Sequence, residues 1–317
     1  MRRLLVCGAT GFIGRNLTEY FANDPRYHVT AVYHQRPPFS CTGVAWIQAD
    51  LTQTEDVLKV VRGQDIVLQA AATTSGVRTT ITNPSQQIVD NAVMNSYLFA
   101  AAREQRVSHF IFPSCTIMLA SNELPQREED YDPRTRPHPV YEGAAYTKLY
   151  LEHLGAYYAR LGPTKFTMLR HSNVYGPHDK FDLQRSHVFG ATITKVLGSN
   201  DGRVVVWGTG EEKRDMLHVD DLVAAFAMAL DRQENAFSLY NIGYGRSVSV
   251  RELVLSIVQA SGRPLDIVHD ESKPTVKMNI ALDCRKAEVE LGWRIRVMLE
   301  DGIRRTISWW RENQPIT

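Results

Sequence analysis

The chain has 317 residues, 44% hydrophobic and 22% charged, with 36 basic and 35 acidic side chains giving a formal charge of +1. That composition is globular and excludes disordered, collagenous and membrane-embedded classes; at about 100–200 residues per domain, the length allows one large domain or two closely joined ones. With no net field to attract polyanions, nucleic acid and anionic membranes are poor first candidates as partners, although a few local arginines can hold one anionic small molecule.

Cys7, Cys41, Cys115 and Cys284 are dispersed and form no CxxC pair. Neither a zinc ribbon nor a disulfide framework is indicated, no metal is expected, and the usage suits a reducing, cytoplasmic setting. The apolar run after Met1-Arg2-Arg3 stops at a glycine-rich turn, so it reads as a first strand rather than a targeting segment. No stretch approaches the ~20 apolar residues of a spanning helix.

In chain order, short β-branched runs alternate with helical patterns, as in a parallel sheet wrapped by helices. The predicted elements of the first half are strand Arg3 to Cys7, helix Phe12 to Asn23, strand His28 to Tyr33, helix Thr54 to Arg62 and strand Asp65 to Ala70. A long helix from Ser85 to Glu104 follows behind Pro84, since proline suits a first turn. Strand His109 to Pro113, helix Ala144 to Leu161 and strand Phe166 to Arg170 continue the rhythm. Between Ser121 and Pro139 the composition turns to Asn, Glu, Asp, Arg and Pro, and the segment reads as a solvated loop rather than a lid. After Tyr175-Gly176-Pro177 the pattern weakens to helix Ser186 to Leu197, strand Arg203 to Trp207, helix Asp220 to Leu230 and strand Ser238 to Ile242. Ser249 and Glu252 fit a capping box at the start of another helix.

Gly8-Ala9-Thr10-Gly11-Phe12-Ile13-Gly14 follows the first strand and opens the first helix. Glycines there let the chain turn tightly and approach a pyrophosphate, which backbone N–H groups of the helix N-terminus can bind. The GxxGxxG spacing resembles the extended branch of the short-chain dehydrogenase/reductase superfamily. That resemblance implies an α/β fold: a Rossmann-type doubly wound parallel sheet with a smaller C-terminal α/β substrate lobe. Residues 1–174, with 215–243 crossing back, would form the cofactor domain; 175–214 and 244–317 would form the lobe.

The second strand ends Val32-Tyr33-His34-Gln35-Arg36, without the acid that would bind the ribose hydroxyls of NAD. His34 and Arg36 suit a 2′-phosphate instead, so NADP(H) is expected over NAD(H). Asp50-Leu51 resembles the superfamily's adenine-contacting pair, and the resemblance further places Ala70, Ala71, Ala72 and His171 beside the cofactor.

Ser114 ends its strand at the sheet's carboxyl edge and matches the superfamily's substrate-orienting serine, while Lys148 resembles the lysine of its YxxxK pair. Four residues before Lys148 stands Ala144, where the superfamily carries the proton-passing tyrosine; residues i and i+4 share one helical face. Ala144 reads equally as a replaced tyrosine or as a departure of this chain. Tyr146 points to another face, and Tyr141 lies on the same side, one turn too far.

The second half narrows the resemblance. Asn173-Val174-Tyr175-Gly176-Pro177-His178-Asp179-Lys180-Phe181, Ser186-His187-Val188, Val204-Val205-Val206-Trp207-Gly208-Thr209-Gly210, Arg214 and Leu217-His218-Val219-Asp220-Asp221 together are similar to the GDP-L-fucose synthase family. That family reduces and epimerises GDP-4-keto-6-deoxymannose with NADPH. By resemblance His187 is the general acid, and Asn173, Lys195, Trp207 and Arg214 meet the nucleotide diphosphate and sugar. The loop Ser272-Lys273-Pro274 resembles a substrate loop, with Lys277 offset from the usual arginine. With Ser114 aligned, the epimerisation cysteine position holds Thr116, a poor base, so reduction is better supported than epimerisation. These residues imply NADPH-dependent reduction at carbon 4 of a nucleotide-linked 4-keto-6-deoxy sugar, with GDP as the first choice of nucleotide. The alternatives are a 4-epimerase or dehydratase that retains its NAD(P), or a catalytically silent nucleotide-sugar binder. The two long helices Ser85 to Glu104 and Ala144 to Leu161 correspond to the superfamily's four-helix dimer interface, so a homodimer is expected.

Overall fold

The computed structural model describes residues 1–74, 85, 87–183, 186–273 and 275–313; Pro84 and Pro274 lie outside them. The first sheet is built from β1 (Arg2–Cys7), β2 (Tyr27–Tyr33), β3 (Val44–Gln48), β4 (Ile66–Gln69), β5 (His109–Cys115), β6 (Lys165–His171) and β10 (Phe237–Ile242). Its order is β10-β6-β5-β4-β1-β2-β3, and every neighbouring pair is parallel. Parallel strands are covered on both faces and read as unbroken apolar runs, which is why Leu4, Leu5, Val6 and Cys7 in succession are fully buried. One face packs on α1 (Phe12–Ala22) and α6 (Val219–Arg232). The other packs on α2 (Thr54–Val61), α3 (Ile88–Glu104) and α4 (Glu142–Tyr158).

The remaining elements form the second lobe. β7 (Asn173–Tyr175), β9 (Lys213–His218) and β11 (Ser247–Ser249) make one small sheet, and β8 (Arg203–Trp207) pairs with β12 (Asp266–Asp270). Around them lie α5 (Val188–Gly198), α7 (Val250–Ser261) and α9 (Leu299–Asn313), with Tyr175, Phe189 and Ile303 in their shared core. α8 (Arg285–Leu291) instead packs under the large sheet. The predicted capping box is present: Ser249 Oγ accepts from the Glu252 N–H, and Glu252 accepts from the Ser249 N–H. Asp215, at the base of the small sheet, accepts from the backbone N–H groups of Tyr244, Gly245 and Leu282 and so ties the returning chain to the lobe.

Two boundaries bear on the site. β5 continues two residues past Pro113, because parallel pairing with β6 persists to Cys115 opposite His171. α4 begins at Glu142, fed by a single 3-10 turn over Pro139–Tyr141. The segment from Ser121 to Pro139 is mostly exposed, as a solvated loop, and is anchored at a few points. Gln126 is buried and bridges to Leu282, and Glu128 Oε1 accepts from the Asn241 N–H. Among the described residues no helix is long and apolar enough to cross a membrane.

A buried ion pair joins β5, β6 and α4. Arg170 donates to Glu152 from Nη2 at 2.6 Å and Nε at 3.2 Å, Ser114 Oγ donates to the same carboxylate at 2.6 Å, and Arg170 Nη1 reaches the Glu128 carbonyl. The two side chains are 2% and 7% exposed, so either charge alone would be stranded. Glu152→Ala should therefore destabilise the protein by about 3–5 kcal/mol, the usual loss when half of a buried pair is removed. Urea unfolding monitored by circular dichroism measures this, and a loss below about 1 kcal/mol would mean that the pair does not hold the three elements together.

Candidate active site

The glycine-rich turn lies at the carboxyl edge of β1. Gly8 has φ +69°, and a Cβ there would stand 2.5 Å from Ala71 Cα; a Cβ on Gly14 would stand 2.1 Å from the Gly8 carbonyl oxygen. Both positions therefore require glycine, and Ala71 forms the opposite wall. That wall is fixed by Gln69, which exchanges hydrogen bonds with Ala71 through its amide and also donates to Asn95. α1 starts at the Gly11 cap with no side-chain hydrogen bond and no acid in its first turn. Its leading N–H groups, those of Phe12, Ile13 and Gly14, are free of a competing carboxylate, as a bound diphosphate needs.

At the end of β2, Arg36 Nη1 donates to the Thr10 carbonyl at 2.9 Å, which sets its guanidinium across the glycine turn. His34 Nε2 is 4.0 Å from Asp50 Oδ2, and Asp50 Oδ1 accepts from Thr52, while Leu51 is buried beneath. The cradle, its wall and the basic strand end thus converge on one edge and fit a dinucleotide.

Along that edge Ser114 has an internal partner: it is fully buried and its hydroxyl donates to Glu152. Strand side chains alternate between faces, so its neighbour Cys115 takes the cleft-facing position, level with His171 across the β5–β6 pair. Burial pushes the Cys115 thiol above its usual value, and the charge of Lys148 draws it partly back. Lys148 Nζ donates to the Pro113 carbonyl at 2.9 Å and lies 4.3 Å from the centre of the Phe112 ring. Desolvation lowers its pKa, against the opposing influence of Cys115 and Glu152. Burial takes His171 down to about 4 despite its contact with the Ser172 carbonyl, so it is neutral near pH 7. Thr116 follows Cys115 in a tight turn, bonded through its carbonyl to the Leu119 N–H. Ala144 lies in the first turn of α4, one helical turn before Lys148.

The lobe supplies the facing wall. His187 caps α5, and its pKa is lowered by desolvation and then by the charges of Lys180 and Arg214. Arg214 sits on β9 with Nη1 on the Lys213 and Met278 carbonyls and Nη2 on the Val276 carbonyl. Those three bonds leave Nε and one Nη2 hydrogen of its five donors for an anion. Lys277 lies between the two loop carbonyls that hold Arg214 and is itself exposed. Lys195 Nζ donates to the Val205 carbonyl and lies 5.5 Å from the centre of the Trp207 ring. The Asn173 amide donates to the Asp215 carbonyl at 3.3 Å. A residue not selected from the sequence spans the cleft: Lys180 Nζ donates to Thr74 Oγ1, beyond β4, at 2.5 Å. Among the described residues no cluster of His, Cys, Asp and Glu is placed to hold a metal ion.

A parallel sheet with a glycine cradle at its carboxyl edge, facing a lobe that presents a part-buried arginine, defines a two-lobed dinucleotide-binding α/β protein. The chain belongs to the NAD dependent epimerase/dehydratase family, which matches residues 4–243. It is 30% identical over 269 residues to GDP-L-fucose synthase of Escherichia coli K12, covering 79% of this chain and 81% of that one. It is 24% identical over 313 residues, 97% of each chain, to GDP-L-colitose synthase of Yersinia pseudotuberculosis. UDP-glucose 4-epimerase of Thermotoga maritima, solved with UDP-glucose, superposes with a TM-score of 0.86 at 25% identity over 98% of this chain and 99% of that one.

Gly14→Ala tests the cradle. Its added methyl meets backbone rather than a flexible side chain, so nicotinamide dinucleotide affinity should fall at least about tenfold, or 1.4 kcal/mol. Calorimetric titration that finds unchanged affinity would place the cofactor elsewhere.

Proposed function

We propose that the protein is an NADPH-dependent reductase acting at carbon 4 of a nucleotide-linked 4-keto-6-deoxy sugar, with GDP as the nucleotide. The observation that carries this reading is the apposition, across one cleft, of the cofactor-side group Cys115, Lys148 and His171 with His187 and Arg214 of the lobe. The similarity to GDP-L-fucose and GDP-L-colitose synthases supports the substrate class.

The cofactor, when bound, supplies the hydride. The glycine turn and leading N–H groups of α1 hold its diphosphate, Asp50 and Leu51 its adenine side, and Lys148 its ribose near the reacting edge. Arg36, with His34 beside it, takes the 2′-phosphate; a charge-assisted bond of this kind is worth about 1.5–3 kcal/mol. Arg214 turns its two remaining donors to the sugar nucleotide's diphosphate, while Lys195 and Trp207 flank the nucleotide. Cys115 replaces a hydroxyl as the group next to the substrate oxygen.

Epimerisation has little support from the residues. Counted from Cys115, the position two residues on is Ile117, which carries no base, and His187 alone would have to remove and return protons. A second reading is a 4-epimerase that retains its cofactor, favoured by the likeness to the Thermotoga maritima enzyme. A silent binder is favoured by Ala144 alone.

Following NADPH absorbance with GDP-4-keto-6-deoxymannose tests the reading directly: cofactor should be consumed in proportion to sugar, and bound but unconsumed cofactor would overturn it. Arg36→Ala should weaken NADPH by about 10–100-fold, from the lost charge-assisted bond, and leave NADH nearly unchanged. An equal loss for both cofactors would remove the basis for NADP selectivity.

Assembly follows from the outer face of α3 and α4. Tyr146, Tyr150 and Tyr157 of α4 recur at helical spacing and are exposed, as is Leu161 just beyond its end, beside exposed Val89 and Tyr97 of α3. Such a stripe fits the homodimer interface implied by the superfamily. Sedimentation velocity at micromolar concentration should show a dimer that Tyr150→Asp converts to monomer; a wild-type monomer would exclude it.

A further inference from the structure

The proton that must accompany hydride transfer has no donor at position 144, because alanine carries none. Within the cleft the other familiar donors are also disqualified. Ser114 faces Glu152 in the interior. Burial takes His171 down to about 4 and lowers His187 as well, which disfavours the imidazolium of each. Lys148 has one of its three hydrogens on the Pro113 carbonyl and adjoins the cofactor side.

Tyr141 occupies the junction that these groups leave. It ends the 3-10 turn Pro139–Tyr141 and forms the N-terminal cap of α4, one helical turn before Ala144 and two before Lys148, so the three fall on one side of the helix. The turn is fixed from below, since His138 accepts the N–H groups of Val140 and Tyr141, and the His138 ring packs 6.1 Å from the tyrosine ring. The phenol is part-buried and lies within the fields of Cys115, from the sheet edge, and Arg214, from the lobe.

We propose that Tyr141 is the proton donor of this chain, taking the role of the tyrosine absent from residue 144. The proposal rests on the reductase reading above. In the step, the ketone carbon accepts a hydride from the dihydronicotinamide, which is thereby oxidised, and a C–H bond forms. The C=O π pair moves to oxygen, Tyr141 Oη releases its proton to that oxygen, an O–H bond forms, and solvent later returns a proton to the phenolate. Burial raises the phenol's pKa and keeps it protonated at neutral pH, while Arg214 favours the phenolate that the step creates and Cys115, if ionised, opposes it. The His138 ring also packs against the phenol ring.

The experiment compares wild type, Tyr141→Phe and the double variant Tyr141→Phe/Ala144→Tyr. Tyr141→Phe should lower single-turnover NADPH oxidation with GDP-4-keto-6-deoxymannose by about 10²–10⁴, the usual contribution of a positioned acid, with GDP affinity and thermal midpoint retained. The double variant should recover rate, because its new tyrosine stands four residues from Lys148. A second readout needs no cofactor. The tyrosinate absorbance of wild type minus Tyr141→Phe should titrate above the ordinary value of about 10, and Arg214→Met should move it higher still. An active wild type with an undiminished Tyr141→Phe variant overturns the donor and leaves the reductase reading standing. Insensitivity of that titration to Arg214→Met overturns the placement on which the donor depends. A wild type that binds both ligands without turnover overturns the reductase reading, and the donor with it.

Discussion

Glu152 and Arg170 are charges that water would solvate and that the fold instead places in its interior, where each is tolerable only because the other is there. The carboxylate accepts two guanidinium N–H groups and one serine hydroxyl, leaving little of its hydrogen-bonding capacity unused. Because the three partners come from α4, β6 and β5, the pair fixes how the helix lies on the two strand ends. Lys148 is one turn from Glu152 on the same helix, and Cys115 and His171 each follow a member of the pair or its serine partner by one residue. The orientation of this sheet edge is thus a consequence of a contact beneath it.

Above that contact the cleft is predominantly cationic. Lys148, Lys180 and Arg214 supply its positive groups, and the carboxylates of Glu152 and Asp215 are committed to internal partners. Such a surface suits phosphates from both sides, cofactor and sugar nucleotide. The Lys180–Thr74 bond crosses the same gap and links the lobe to the loop after β4.

Much of this was legible in the sequence. The large sheet, its helices and the glycine cradle follow from apolar runs and turn residues that need no tertiary information. The lobe was less legible because its strands are short and mixed in character: Lys213–His218 begins with three charged residues, and Asp266–Asp270 is bracketed by acids. The internal partner of Ser114 was hidden for a sharper reason. A slip of one residue in a strand reverses the face, and residue type favoured the serine over the adjacent thiol. Only the buried hydrogen bond to Glu152, between residues 38 apart, distinguishes them. Tyr141 was visible as an aromatic on the side of Lys148, yet its proximity to Arg214 depends on how the lobe folds back.

Under the proposed reductase reading, the cleft delivers a net hydride to the sugar rather than borrowing one and returning it. NADPH carrying deuterium at the transferable position of nicotinamide carbon 4, incubated with GDP-4-keto-6-deoxymannose, distinguishes the two by NMR of the product. One deuterium at sugar carbon 4 for each NADP⁺ formed is the expected result. Interconversion of sugar epimers with no net cofactor oxidation and no retained label would contradict it.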